Sequence, residues 1–267
     1  MMFYTSTDVF PKVAYRKYGE GPVVVLLHGF PADGNLWENI WPGLQGFTVI
    51  VPDFPGTGGS AGVDGELTIE ALADFVYHIL QHENITKAVV AGHSMGGYTA
   101  AAFAAKYPAM LKGMAMIHST AGADDDEKKE QRKKVIGVIR KGGKEAFIKQ
   151  MVPGLFSASF QLKYSNDVAL QISRSLELPD ETLINFYTAM MNRCDHTNIL
   201  KDVCFPVQWV MGKEDNVLPP VKALKQSSLA NINFVNLYKN CGHMSMMEQP
   251  GQLVRDLTHF LEYCYRK

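Results

Sequence analysis

The sequence predicts an α/β fold with a mostly parallel β-sheet flanked by helices. Short runs rich in β-branched and other apolar residues recur along the chain, and segments with helical spacing of apolar residues lie between them. Runs that are apolar on both faces are typical of strands buried inside parallel sheets. Alternation of such strands with helices is the pattern of an α/β protein.

The predicted strands occupy both halves of the chain. Residues 3–18 alternate around Pro11, which predicts two short antiparallel strands at a sheet edge, where proline is tolerated. Six apolar runs then predict buried strands, at residues 23–27, 47–51, 87–91, 113–117, 206–211 and 233–237.

Helices are predicted between these strands. Thr68 can cap a helix that has apolar residues at helical spacing. The alanine-rich segment 95–106 stops before Pro108, which marks a helix end. Residues 250–263 predict an amphipathic helix near the end of the chain.

Residues 119–201 interrupt this alternation, because they contain helical patterns and no convincing strand. The expected organisation is a core formed by residues 1–118 and 202–267, with residues 119–201 as an all-helical insertion. Within the insertion, residues 124–134 form a charged run in which the acids come first, as the helix dipole favours. We interpret this run as a solvated helix face with pairs four residues apart, Asp124–Lys128 and Glu130–Lys134.

Composition excludes several classes of protein. The 267 residues are 46% hydrophobic, so the chain can bury a core without disulfides or metals. The 26 basic and 27 acidic residues give a net charge of −1. Because no basic excess exists to neutralise phosphates, nucleic acid is not expected as a partner. The oligomeric state stays open.

The cysteines and the N-terminal segment predict a cytoplasmic protein. The four cysteines contain no C-x-x-C pair, and so few cysteines in a long chain suit a reducing compartment. Residues 1–8 lack the basic and apolar regions of a signal peptide. The apolar run Val23–Leu27 is far too short to cross a bilayer, so no membrane span is expected.

The most informative motif is Gly92-His93-Ser94-Met95-Gly96-Gly97, which matches G-x-S-x-G. It follows a predicted strand and opens a predicted helix, which is the setting that a nucleophile elbow requires. In such an elbow a sharp turn presents the serine hydroxyl at the edge of the sheet. The sequence therefore predicts Ser94 as a nucleophile.

A serine nucleophile needs a base, and the expected chain order is serine, acid, histidine. Asp215 follows the fifth buried run and His243 follows the last one, so both are expected at the same sheet edge as Ser94. His243 would be the general base and then the general acid, and Asp215 would orient it. Glu214 is the rival acid, and we prefer Asp215.

Acyl transfer also needs donors for the developing oxyanion. One is the backbone N–H of Met95, directly after the nucleophile, and the second is expected from Phe30 in the loop after the first buried run. Other histidines are interpreted as structural: His28 as a hydrogen-bonding group, His93 as packing beneath the elbow, and His196 as capping or bridging the last helix of the insertion.

No cofactor or metal is expected. Residues 56–61 resemble a dinucleotide fingerprint, but glycines interrupt any helix that could open there. Residues 137–143 have glycine spacing similar to a P-loop, but Gly143 stands where lysine is required. Neither H-E-x-x-H nor cysteines at zinc-ligand spacing occur.

Together these motifs resemble those of the α/β-hydrolase fold superfamily. The similarity rests on His28–Pro31, Asp53–Ser60, the elbow, Gly212–Pro219 and the segment from Gly242 to Pro250. The resemblance implies an eight-stranded, mostly parallel sheet with a helical cap inserted after the sixth strand, where residues 119–201 fall. Serine at position 94 argues against haloalkane dehalogenases and epoxide hydrolases, which use aspartate.

We therefore expect a serine hydrolase, of carboxylesterase type, that acts on a small apolar ester, thioester or lactone. Carbon–carbon bond hydrolysis, cofactor-free perhydrolysis and a small-molecule receptor with a nearly silent triad remain as alternatives. The pocket is expected to be mostly apolar. Candidate substrate-binding residues of the insertion are Phe156, Tyr187, Met190 and Met191.

Overall fold

An eight-stranded β-sheet forms the centre of the protein in a computed structural model that describes residues 1–266. The strands are β1 (Met2–Thr5), β2 (Val13–Tyr18), β3 (Val23–Leu27), β4 (Thr48–Asp53), β5 (Ala88–His93), β6 (Leu111–Ile117), β7 (Val207–Gly212) and β8 (Asn233–Tyr238). Their order across the sheet is β1-β2-β4-β3-β5-β6-β7-β8. β2 is antiparallel to both its neighbours, β1 and β4. The other six strands, β3 to β8, are parallel to one another. The predicted α/β sheet is confirmed.

The central strands are continuously apolar because both of their faces are covered. Every residue of β4, β5 and β7 is buried, as expected for parallel strands between two helical layers. The six predicted runs match six strands with small shifts at the ends. The largest shifts are two residues: β4 and β5 end two residues later than predicted, and β6 begins at Leu111 rather than at residue 113.

Ten α-helices surround the sheet within the described part of the chain. They are α1 (Ile69–His82), α2 (Met95–Lys106), α3 (Asp126–Arg140), α4 (Lys144–Met151), α5 (Ala158–Lys163), α6 (Ser165–Glu177), α7 (Asp180–Asn192), α8 (Pro220–Leu224), α9 (Ser245–Glu248) and α10 (Pro250–Arg266). The Thr68 hydroxyl caps α1 by accepting the N–H of Ala71 at 3.0 Å, as predicted. Between Met1 and Arg266, none of the helices combines the length and apolarity needed to cross a bilayer.

The chain between β6 and β7 contains α3 to α7 and short 3-10 turns, and residues 118–206, all of which are described, form no strand. α3 packs against α7, and α4 packs against α6. These helices fall after the sixth strand. The division into a core and a separate inserted domain stays a prediction.

The interpretation of residues 124–134 as a solvated face is wrong for Asp124 and Arg132, which are both buried. Asp124 lies before α3 begins, and its side chain is only 5% exposed. It pairs with Arg132 and Arg193 instead of Lys128, because the chain turns inward before the helix starts. Glu130 is exposed and pairs with Lys133 rather than with Lys134.

Candidate active site

Ser94 occupies the sharp turn between β5 and α2. Its φ is +51° and its ψ is −113°, a left-handed conformation that L-residues avoid unless the surroundings impose it. Hydrogen bonds fix both sides of its backbone. Its N–H donates to the Ile117 carbonyl at 2.9 Å, and its carbonyl accepts the Ser119 hydroxyl at 2.8 Å. The geometry is that of the elbow predicted from the sequence.

Three glycines make this turn sterically feasible. A Cβ on Gly92 would lie 2.1 Å from the Gly96 carbonyl oxygen, and one on Gly96 would lie 2.4 Å from the Leu27 carbonyl oxygen. A Cβ on Gly97 would lie 2.2 Å from the Ser119 hydroxyl. Any side chain at these positions would force the strands or the helix apart.

Asp215 and His243 lie together at the end of the sheet. Asp215 follows β7 and His243 follows β8, and His243 Nδ1 donates to Asp215 Oδ2 at 2.7 Å. The other carboxylate oxygen accepts the N–H groups of Val217 and Leu218 at 2.9 and 2.8 Å. Asp215, and not Glu214, is therefore the acidic residue that contacts His243.

The Asp215 carboxylate is held in its charged form. Burial by itself would raise the pKa of this group, but the charge of His243 and the hydrogen bonds from the histidines beside it bring the pKa well below its usual value. An ionised acceptor in this position favours the proton of His243 on Nδ1. Nε2 is then left as the proton-accepting atom.

The loop that carries His243 is fixed on several sides. The His243 N–H donates to the Leu155 carbonyl at 2.7 Å. The Glu248 carboxylate accepts the N–H of Gly242 at 3.0 Å and that of Met244 at 3.2 Å. The His243 carbonyl accepts Nε2–H of His93 at 2.8 Å, so His93 supports the loop from below.

Ser94 and His243 line the same cavity. Nε2 of His243 is buried and has no hydrogen-bond partner anywhere in residues 1–266. The hydrogen bond that catalysis would need between this atom and the Ser94 hydroxyl is therefore not formed in this structure. Catalytic hydrogen bonds are often long without substrate and shorten when it binds. Nε2 is therefore unoccupied by any protein group.

A third histidine, which the sequence reasoning missed, joins this pair. His118 Nδ1 donates to the same Asp215 oxygen at 3.0 Å. Its ring centroid is 5.5 Å from that of His243, and burial lowers its pKa despite the nearby carboxylate. His118 directly follows β6, so the rule that located the other residues, a polar side chain after a buried strand, could have found it.

These three residues are also the group that could hold a metal ion. Ligand atoms of His118, Asp215 and His243 lie within 4.8 Å of one another. Both histidines already use Nδ1 to bond one oxygen of Asp215. An ion ligated by both Nδ1 atoms would have to break these hydrogen bonds, so the Nδ1 side of the cluster fits a hydrogen-bonded network better than a coordination sphere.

The predicted oxyanion donors are the backbone N–H groups of Phe30 and Met95. Phe30 lines the cavity beside Ser94. Met95 is the first residue of α2, so its N–H has no partner within the helix. Both ring nitrogens of His28 have structural partners: Nδ1–H donates to the Gly29 carbonyl at 3.0 Å and Nε2 accepts the Phe54 N–H at 3.0 Å.

The cavity has a volume of about 770 Å³ and extends from the sheet edge to the helices between β6 and β7. Of the four predicted substrate-binding residues, Tyr187 and Met190 line it. Phe156 instead stacks on Phe160 with ring centroids 5.2 Å apart. Met191 also lies outside the lining, because successive helical residues point about 100° apart.

Most of the cavity surface is apolar, as predicted, although charged side chains also contribute to it. Phe30, Tyr187 and Met190 form an apolar part, but Arg132 and Arg193 also line the cavity. His196, by contrast, pairs with Glu70 at 3.4 Å, away from the lining, which fits the structural role expected for it.

Comparisons with known proteins give one consistent picture. A family model described as "alpha/beta hydrolase fold" matches residues 22–250. A thermophilic esterase from Thermogutta terrifontis, solved with malate bound, has a TM-score of 0.94 and 29% identity over 99% of both chains. An enol-lactonase from Burkholderia xenovorans has a TM-score of 0.89, with 22% identity over 97% of this chain and 99% of that one. A pimeloyl-[acyl-carrier protein] methyl ester esterase from Pseudoalteromonas atlantica is 24% identical over 91% of this chain and 95% of its own length.

Proposed function

The chain belongs to the α/β hydrolase fold family, and on that basis we propose that it is a serine hydrolase that cleaves small esters, thioesters or lactones through an acyl-enzyme on Ser94. The main support is the Asp215–His243 hydrogen bond of 2.7 Å in a cavity that Ser94 also lines. The strained backbone of Ser94 adds to this support, because such strain persists where the surroundings require it.

In the first half of the reaction, Nε2 of His243 takes the proton of the Ser94 hydroxyl while the oxygen attacks the substrate carbonyl carbon. The N–H groups of Phe30 and Met95 bind the negative oxygen of the tetrahedral intermediate. The bond to the leaving group then breaks, and His243 gives its proton to the departing alkoxide or thiolate. The acyl group remains on Ser94.

In the second half, a water molecule gives a proton to His243 and its oxygen attacks the acyl carbon. The collapse of the second intermediate returns the proton to Ser94 and releases the carboxylic acid. Asp215 remains ionised throughout and stabilises the imidazolium form of His243. Every step uses side chains and backbone groups of this chain, so no cofactor is required.

The helices between β6 and β7 act as a cap in this proposal, since Tyr187 and Met190 of α7 line the cavity opposite Ser94. Free thiols at all four cysteines fit a cytoplasmic location. Carbon–carbon bond hydrolysis and perhydrolysis would use the same groups. A panel of esters, ring-cleavage products and peroxide with acetate separates these reactions by product.

The test is hydrolysis of p-nitrophenyl butyrate by matched serine variants. Ser94→Ala should abolish turnover beyond the spontaneous rate. Ser245→Ala is the control, because Ser245 is buried two residues from His243 and its hydroxyl has no partner within residues 1–266. Undiminished turnover by Ser94→Ala would overturn the assignment of the nucleophile.

A further inference from the structure

A buried cluster of three charged side chains forms one wall of the cavity. The Asp124 carboxylate accepts a hydrogen bond from Arg132 Nε and forms an ion pair with Arg193 Nη1 at 2.7 Å. The side chains are 5%, 8% and 4% exposed, in the order Asp124, Arg132, Arg193. Two guanidinium groups share one carboxylate, so the cluster carries one uncompensated positive charge.

Within residues 1–266, neither Arg132 nor Arg193 forms an ion pair with a carboxylate other than Asp124. Arg132 lies against Tyr187, with the guanidinium carbon 5.2 Å from the ring centroid, and burial raises the pKa of Tyr187 to about 12, so this phenol stays neutral at neutral pH. Lys128, one turn before Arg132 on α3, adds a basic group to the lining. Asp125 is exposed and lies 3.5 Å from Lys222.

The two arginines differ in how their donors are used. Arg193 uses two of its three nitrogens: Nε donates to the Gly122 carbonyl at 3.0 Å, and Nη1 donates to the Met190 carbonyl at 2.7 Å and forms an ion pair with Asp124. Its guanidinium carbon lies 3.9 Å from the Tyr98 ring centroid. Arg193 therefore connects Tyr98 to the C-terminal end of α7.

Arg132 has hydrogen-bond donors that no protein group in residues 1–266 accepts. Only its Nε is bonded, and neither terminal nitrogen has a hydrogen-bond partner in residues 1–266. The residue is 7% exposed and lines the cavity. At the cavity wall these unoccupied donors can receive an anion, and the planar fork matches a carboxylate in bidentate fashion.

We propose that Arg132 binds a carboxylate of the substrate, so that the natural substrate is an ester, thioester or lactone with a second, free carboxylate. This inference rests on the proposed hydrolase function. Two side-chain contacts connect the predicted reaction centre to Arg132. Phe30, the predicted oxyanion donor, contacts Tyr187 with ring centroids 4.7 Å apart, and Tyr187 contacts Arg132. The scissile carbonyl would bind beside Phe30, and the free carboxylate would bind at Arg132.

The test compares two methyl esters that differ only in charge: monomethyl adipate, and the same ester with its free acid converted to a primary amide. Monomethyl esters from succinate to suberate cover the range of chain lengths. At the best length, kcat/KM should favour the acid by about tenfold or more, the usual effect of a charged hydrogen bond. A ratio near one at every length would overturn the proposal.

Variants of Arg132 test whether this residue causes the preference in kcat/KM for the acid over the amide. Arg132→Gln should bring the ratio of acid to amide close to one, chiefly through KM, and Arg132→Lys should restore part of it. Lys133→Gln is the control, since it removes the same charge from the outer, solvent-exposed face of α3 and should leave the ratio unchanged. A purely structural role of Arg132 would slow both esters equally and preserve the ratio, which would contradict the proposal.

A binding measurement covers the case in which Arg132→Gln does not fold. Calorimetric titration of the Ser94→Ala protein should detect adipate and not adipamide, and equal binding of both would overturn the proposal. This experiment needs no turnover. If p-nitrophenyl butyrate is not hydrolysed, the proposed function fails while the carboxylate site is still tested. If it is hydrolysed without preference for acids, only the carboxylate site fails.

Discussion

At the scale of single residues, Asp215 organises the site. It accepts hydrogen bonds from the backbone of Val217 and Leu218 and from the rings of His243 and His118. The backbone donors orient the carboxylate, and the rings occupy its other oxygen. Removing this charge should therefore disturb the tautomer of His243 more than the fold.

Asp215→Asn is expected to lower kcat by about 10⁴-fold, because an amide in this position favours the wrong tautomer of the histidine. Glu214→Gln is the neighbouring control, and it should change kcat by less than about twofold, as a surface polar change typically does. The measurement is steady-state hydrolysis of p-nitrophenyl butyrate. Equal losses in the two variants would contradict the choice of Asp215.

His118 is expected to be a positioning residue. His118→Ala removes one hydrogen bond to Asp215, which is worth about 1 kcal/mol, so kcat should fall about fivefold. KM should stay constant because His118 does not line the cavity. His118→Asn, which can still donate to Asp215, should recover part of kcat. A change confined to KM would show that His118 acts on substrate binding instead.

The residues of the site differ in how far the sequence could predict them. Ser94 and Asp215 follow the buried strands β5 and β7, and His243 follows the edge strand β8, which the sequence wrongly predicted as buried. Because parallel strands end at the same sheet edge, topology alone brings the three residues close. Arg132 could not be found in this way, because its burial depends on how α3 packs against the rest of the fold. In the sequence it is one of several basic residues in a charged run.

At the scale of elements, the turn between β5 and α2 depends on glycine. Gly96 lies under the backbone of β3, where the Leu27 carbonyl leaves no room for a Cβ. The pattern of small residues around the serine is visible in the sequence, and the structure supplies the reason for it. Element ends that depend on hydrogen bonds, such as the start of β6, are less visible in the sequence.

Gly96→Ala should lower the free energy of unfolding by about 2 kcal/mol or more, because backbone atoms cannot move aside as a side chain can. Gly137→Ala is the matched control in α3, where a new Cβ meets nothing within 4 Å. It should stabilise the protein by about 0.5–1 kcal/mol, the usual gain from replacing a helical glycine. Urea denaturation measures both, and a neutral Gly96→Ala would contradict the close contact.

At the scale of the whole molecule, buried histidines connect the site to stability. Burial lowers the pKa values of His28, His93 and His118 below their ordinary value of 6.5. As pH falls below 6.5, the unfolded chain binds protons at these positions before the folded protein does. The folded state therefore loses stability on acidification.

The free energy of unfolding should fall below pH 6.5 by up to about 1.4 kcal/mol per pH unit for each such histidine. Asp215 acts in the same direction at lower pH: its lowered pKa stabilises the folded protein above 3.8, and this contribution is lost on further acidification. Urea denaturation from pH 7.5 to 5 tests this expectation. His118→Ala should give a shallower slope, and stability independent of pH would contradict burial of neutral imidazoles.

The molecule as a whole is proposed to present one activated serine at the edge of its sheet. Labelling with a fluorophosphonate, followed by mass spectrometry of peptides, tests this claim most directly, because the reagent reacts with serines whose hydroxyl is activated by a neighbouring base. The label is expected on the peptide that contains Ser94, with none bound after His243→Ala. Absence of label on Ser94 in the folded wild-type protein, or labelling that persists without His243, would contradict the account.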